Sequence, residues 1–305
     1  MKFENILHPT QHGLFRLLTK IYRDKVIKNP RNFILVKGTA PILLVAHMDT
    51  VHRSPAKDIC KTADNNIWMS PQGIGGDDRC GIWALMECYK KTKTKPWLLF
   101  TCDEETGGHG ADAFTQDFEN ETLPTELKNI KLIVEIDRKG STDAVYYECD
   151  NKDLETYIES KGFHTDFGSF SDISIIAPSM GIAAVNLSSG YYNPHTQHEY
   201  IVLSELENTI NTVIEIINES TSETFPVYPY IEKKYPYAVN GKWAKNEVNY
   251  FNFEDGIDDS TKYYTRQEKY NYLKDIYDKK EIDDFIKFYG ETVIDQLFME
   301  EFGEW

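Results

Sequence analysis

Ile42-Leu43-Leu44-Val45-Ala46-His47-Met48-Asp49 decides how this chain is read: an unbroken apolar run, then an imidazole and a carboxylate two residues apart. Bounded by Gly38 and Pro41, the run has the length of a strand buried on both faces. Both polar side chains then emerge at its C-terminal end, on a turn. In open α/β sheets that is the edge where ligands bind.

Working outward, Asn32–Val36, Trp97–Thr101, Leu132–Ile136 and Ile182–Leu187 read as further buried strands. Between them lie helical patterns at about 10–26, 79–90, 153–160 and 204–217, with Leu14, Leu17, Leu18 and Ile21 on one face of the first. Strands alternating with helices imply a three-layer α/β architecture, its central mixed, mostly parallel sheet covered by helices on both faces. The pattern changes near Thr221, where Pro226, Pro229 and Pro236 interrupt it. Residues 1–223 are therefore expected as the main domain and 224–305 as an aromatic-rich, acidic appendage, helical from about 267 to 299.

Composition narrows the function. With 305 residues, 41% hydrophobic, the chain has globular character. A net charge of −16 argues against a nucleic-acid surface, which needs basic groups to neutralise phosphates. No stretch approaches the roughly 20 apolar residues of a membrane span, and no secretory leader follows Met1. Five scattered cysteines without CxxC spacing suit neither a disulfide framework nor a thiolate zinc site. A cytoplasmic enzyme is the expectation.

The remaining candidates for chemistry fall at comparable places. Asp77-Asp78 lies in Gly73-Ile74-Gly75-Gly76-Asp77-Asp78-Arg79-Cys80-Gly81, a glycine-rich loop entering a helix. Glu104-Glu105 follows the strand Trp97–Thr101, Asp137 ends Leu132–Ile136, and His195 follows Ile182–Leu187. Each has an ordinary alternative: Asp77 or Asp78 as a helix N-cap, Glu104-Glu105 as a solvated loop. Together they bring imidazoles and carboxylates from five segments to one sheet edge, a donor set that suits zinc.

In order, HxDTV, GGDDRxG, DEETGG, a strand-final Asp and HTxxE resemble the co-catalytic zinc peptidases, a superfamily of peptidase T, carboxypeptidase G, tetrahedral and leucyl aminopeptidase types. The resemblance spans about residues 8–219. It implies two Zn2+ ions, with Co2+ or Mn2+ as possible occupants, bridged by Asp77. His47 and Asp137 would complete one site, Glu105 and His195 the other. Asp49 would orient the His47 ring, and Glu104 would be the general base toward a metal-bridging water. His195 rather than His198 is selected because the family's ligand stands four residues before a Glu.

Ser169-Phe170-Ser171-Asp172 resembles a segment near the substrate, with helix capping by Ser171 or Asp172 as its alternative. His52, His109 and His164 match no motif and read as loop or helix histidines. Cys80 and Cys102 lack a histidine partner pattern for thiol catalysis, and Arg138 reads equally as a contact for a substrate carboxylate or as structural. The intervals Asp49–Asp77 and Asp137–His195 are too short for the dimerisation insert or lid of the close relatives. The activity implied is hydrolysis of short peptides by an aminopeptidase or dipeptidase. Deacylation of N-acyl amino acids is the enzymatic alternative, and a non-catalytic binding protein the third. Residues 224–305 could replace the lid or support an oligomer.

Overall fold

A computed structural model describes residues 1–234, 237–239 and 242–244, together with positions 270, 274, 280, 282, 286, 287 and 294. The helical pattern expected over 267–299 falls almost wholly outside the described residues. The chain divides into two compact units, Met1–Asn246 and Glu247–Trp305, and all the candidate site residues belong to the first.

In chain order the first unit runs α1 (Glu4–Leu7), α2 (Gln11–Tyr22), β1 (Val26–Asn29), β2 (Phe33–Val36), β3 (Ile42–His47), β4 (Cys60–Lys61), β5 (Ile67–Met69), α3 (Gly76–Lys91), β6 (Trp97–Thr101), α4 (His109–Glu119), β7 (Leu132–Arg138) and β8 (Asp143–Val145). It continues with α5 (Lys152–Glu159), β9 (His164–Thr165), α6 (Asp172–Met180), β10 (Ala184–Ser188), β11 (Tyr191–Tyr192), β12 (Tyr200–Val202) and α7 (Leu203–Ser220). A last strand pair, β13 (Tyr237–Val239) and β14 (Lys242–Ala244), is antiparallel.

Eight strands form the main sheet in the order β1-β2-β6-β3-β7-β10-β8-β9. The central four, β6, β3, β7 and β10, are parallel, and antiparallel pairings occur at β1-β2, β2-β6 and β10-β8. Side chains alternate across the pleat with period two, and here both sets are apolar. Ile42, Leu44 and Ala46 join one core cluster with Leu98, Phe100, Val134 and the inner faces of α2, α3 and α7. Leu43 and Val45 join the other, with Trp97, Leu99, Ile133, α4 and α6. Continuous apolar runs are thus what a sheet covered on both faces requires.

This topology opens the site. From β3 the chain crosses to β6 on one side through α3, then passes to β7 on the other side of β3 through α4, on the opposite face. The loops after β3, β6 and β7 diverge at this switch point and leave a crevice beyond the strand ends. A smaller sheet, β11-β12-β5-β4, pairs Ile201 with Trp68 and so ties the 193–199 loop to the segment before α3. Within residues 49–77 and 137–195 every strand belongs to one of these two sheets, so neither interval holds an inserted domain.

Residues 225–232 return along the first unit. Ala183 N–H donates to the Tyr228 carbonyl (2.8 Å), Tyr228 N–H to the Lys131 carbonyl (2.9 Å), and Phe225, Tyr228 and Tyr157 form an aromatic cluster. No helix among the described residues is long and apolar enough to cross a membrane.

Candidate metal centre

His47 is the last residue of β3 and fully buried, so its ring needs polar partners within the protein. It has them on both nitrogens. Nδ1 lies 3.3 Å from Asp49 Oδ1, while Nε2 lies 3.1 Å from Asp77 Oδ1 and 3.6 Å from Asp137 Oδ2. The other imidazole, His195, places Nε2 3.3 Å from Asp77 Oδ2 and 3.1 Å from Glu105 Oε2. Two ligand triads result: His47, Asp77 and Asp137, and Asp77, Glu105 and His195, with the donor atoms of each within 4.8 Å of one another. Asp77 belongs to both, one oxygen to each.

The five candidate ligands of the sequence reading are therefore brought together, and in the expected grouping. His198 is exposed in the same loop, 193–199, with only its backbone in the hydrogen bonds there. Asp78 faces away from the triads. Its Oδ1 accepts from Gly81 N–H (2.8 Å), capping the first turn of α3, and its Oδ2 accepts from His47 N–H (3.2 Å). Gly81 must be glycine, since an added Cβ would lie 2.3 Å from the Ile136 carbonyl and 2.4 Å from both Asp78 oxygens.

Asp49 ties the site together. Besides facing His47 Nδ1, it accepts from Glu104 N–H (3.1 Å) and Glu105 N–H (3.0 Å), linking the β3 turn to the β6 turn. The same turn is held from behind by Gln11, whose amide donates to Asp103 Oδ1 (2.7 Å) and accepts from Asp103 N–H (3.0 Å). Asp103 has φ 58°, in the left-handed region, so the turn carries strain that these bonds help sustain. Glu199, fully buried, performs the matching service for the glycine loop. It accepts from Asp77 N–H (2.9 Å), Gly75 N–H (2.8 Å) and His52 Nε2 (2.7 Å).

The sequence reading missed His52 and Gln11. Both act on partners far along the chain, and neither lies in a motif. Of the two readings of Ser169–Asp172, side-chain capping by Ser171 does not hold: Ser171 precedes α6, but its hydroxyl donates to Glu135, and Asp172 accepts from Thr101. Arg138 pairs with Asp166 at 2.6 Å.

Electrostatics follow from packing many carboxylates in one buried place. Burial raises the Asp137 carboxyl well above its usual range, and Asp77 and Asp78 add to this. Glu104, 3.9 Å from His47 Nε2, is pushed up to about 8 by burial and by Asp172, Glu105 and Asp77, against the pull of His47. Burial works to raise Asp77 too, but hydrogen bonds from His195 and His47 hold it below the carboxylate range. Hydrogen bonds to Asp77 and Glu105 raise His195 to about 11.

Such a site suits a divalent cation better than protons. Ligand bonds of about 2.0–2.2 Å in a tetrahedron set the donors roughly 3.3–3.6 Å apart, close to the 3.1–3.6 Å between each imidazole nitrogen and the carboxylates of its triad. Glu105 Oε1 is buried with no hydrogen-bond partner among the described residues, as a further donor atom would be. The imidazole and carboxylate set fits zinc.

Comparison with known proteins agrees with this chemistry. The profile of Peptidase family M28 matches residues 34–159, which contain His47, Asp77, Glu105 and Asp137. Among solved structures, the chain resembles aminopeptidase PepT from Bacillus cereus, at 17% identity and TM-score 0.55, over 72% of this chain and 97% of that one. It also resembles a tripeptidase from Staphylococcus aureus (16%, TM-score 0.54, 72% and 96%). A third likeness is the TET1 peptidase of Pyrococcus horikoshii, which can assemble into a tetrahedron or a large octahedral shell (14%, TM-score 0.52, 71% and 99%). At these identities the structural likeness speaks for the fold. No curated protein gives a significant match to the sequence. Over residues 34–159 the chain is similar to Peptidase family M28, and this likeness together with the shared fold supports a metallo-exopeptidase.

Proposed function

We propose that the chain is a two-zinc aminopeptidase or dipeptidase acting on short peptides. The observation that carries this reading is Asp77, whose two oxygens face two separate ligand triads with Glu104 alongside. His47, Asp77 and Asp137 would hold one ion, and Asp77, Glu105 and His195 the other. The ions would supply Lewis-acid chemistry, making water acidic and stabilising the negative charge that develops on the carbonyl oxygen.

The protein's own groups do the rest. Glu104 takes a proton from the attacking water and returns it to the departing amine as the C–N bond breaks. Asp49 keeps the His47 ring oriented through Nδ1 and, by accepting from Glu104 and Glu105 N–H, fixes where those two carboxylates sit. Gln11 and Glu199 hold the Asp103–Glu105 turn and the glycine loop in register, acting as positioning residues.

A substrate screen tests the reading. Zinc-loaded protein is expected to cleave free-amino di- and tripeptides, to lose that activity on chelation, and to leave the matching N-acyl amino acids intact. Cleavage of the N-acyl amino acids in preference to the peptides would assign the site to deacylation instead.

A further inference from the structure

Beside the metal centre lies a cavity of about 120 Å³, partly lined by Asp49 and Gln11, whose basic side chains the proposed hydrolysis does not use. Its walls include Thr10, Thr50, His52, Arg53, Ser54 and Arg79. Arg79 comes from the first turn of α3 and is 4% exposed. Its NH1 group donates to the Ile6 carbonyl (3.1 Å), while its buried Nε has no hydrogen-bond partner among the described residues.

A guanidinium so buried calls for a counter-ion, because removing it from water costs several kcal/mol unless an anion is in contact. Neither Asp49 nor Asp78 makes an ion pair with it. Asp49, the one acid in the cavity wall, already spends its oxygens on His47, Glu104 N–H and Glu105 N–H, and Asp78 on His47 N–H and Gly81 N–H. Arg53, on the rim, is exposed and makes no ion pair among the described residues. Two unpaired guanidiniums and three hydroxyls around one small cavity form a donor-rich cradle, and Arg is the side chain best matched to carboxylate and phosphate oxygens.

We propose that this cavity binds a small oxyanion of carboxylate or phosphate size, with Arg53 and Arg79 as its cationic contacts. The anion has two possible sources, the C-terminal carboxylate of a short peptide and a free anion in solution. Binding does not depend on the hydrolytic reading, and it is measured without turnover.

The test follows the backbone amide signals of Thr50, Arg53 and Ser54 by nuclear magnetic resonance, in zinc-loaded full-length protein titrated with acetate and, separately, inorganic phosphate. Saturable shifts are expected with at least one anion. Arg53→Gln, at an exposed position that leaves the core intact, is expected to weaken binding at least tenfold, and Arg79→Lys likewise. Absence of saturation with both anions, or equal affinity in Arg53→Gln, would overturn the proposal. A tripeptide and its C-terminal amide, added to zinc-loaded Glu104→Gln protein, separate the two sources. Shifts with the free acid alone identify the peptide terminus, whereas no shift with either identifies a free anion.

Discussion

Replacing Glu104 by Gln is expected to lower kcat by about 10²–10⁴-fold, the range that a positioned general base contributes. That equals roughly 3–5 kcal/mol of transition-state stabilisation. Gln keeps the size and one hydrogen-bonding oxygen but cannot accept the water's proton. Because Glu104 belongs to neither ligand triad, zinc content should be unchanged and KM should move little. Steady-state kinetics and metal analysis on the same preparation check this; kcat within threefold of wild type would remove Glu104 from the proton transfer.

The same residue gives the sign of the pH profile. A base works deprotonated, so turnover rises with pH through its pKa. Glu104 stands at about 8 when only burial and the neighbouring protein charges act on it. Two cations nearby pull it lower, so the acid limb of kcat should lie below pH 8 and vanish in the Gln variant.

Asp77→Ala is expected to have the larger effect on the metals themselves. Its two oxygens lie 3.1 Å from His47 Nε2 and 3.3 Å from His195 Nε2, so one substitution takes a ligand from both triads. Zinc per chain should fall below one after dialysis. Activity should drop by roughly 10³-fold or more, in keeping with several kcal/mol of Lewis-acid stabilisation lost. His198→Ala, in an exposed loop position, is the control that should retain both metal and activity. Retention of two ions by the Asp77 variant would rule out the bridging role.

Much of the fold was legible because the central strands are apolar on both faces. Ile42–Ala46 and Trp97–Thr101 announce themselves as runs, and their alternate residues divide cleanly between the two cores. What escaped lacks such a run. β4, β9 and β11 are two residues long, too short for periodicity, yet β11 and its neighbour β12 hold the His195 loop. Helix α6 contains Pro178 and small polar residues, which blur a helical period.

At the site, the ligands could be found because each sits inside a short motif, and Asp49 with them because it shares the motif of His47. The more distant supports could not. Gln11 reaches Asp103 across 92 residues and His52 reaches Glu199 across 147, and only the folded sheet makes them neighbours. Ser171 shows why the sequence left two readings open. Its position suits an N-cap, but the buried Glu135 carboxylate takes its hydroxyl, since an ionisable group without a donor costs more than an uncapped helix turn.

Anomalous diffraction at the zinc edge, on crystals of wild-type protein grown without chelator, would settle how many ions Asp77 serves. Two peaks about 3.5–4 Å apart, one beside His47 and Asp137 and one beside Glu105 and His195, are expected. A single peak, or peaks away from Asp77, would contradict a bridged two-metal centre.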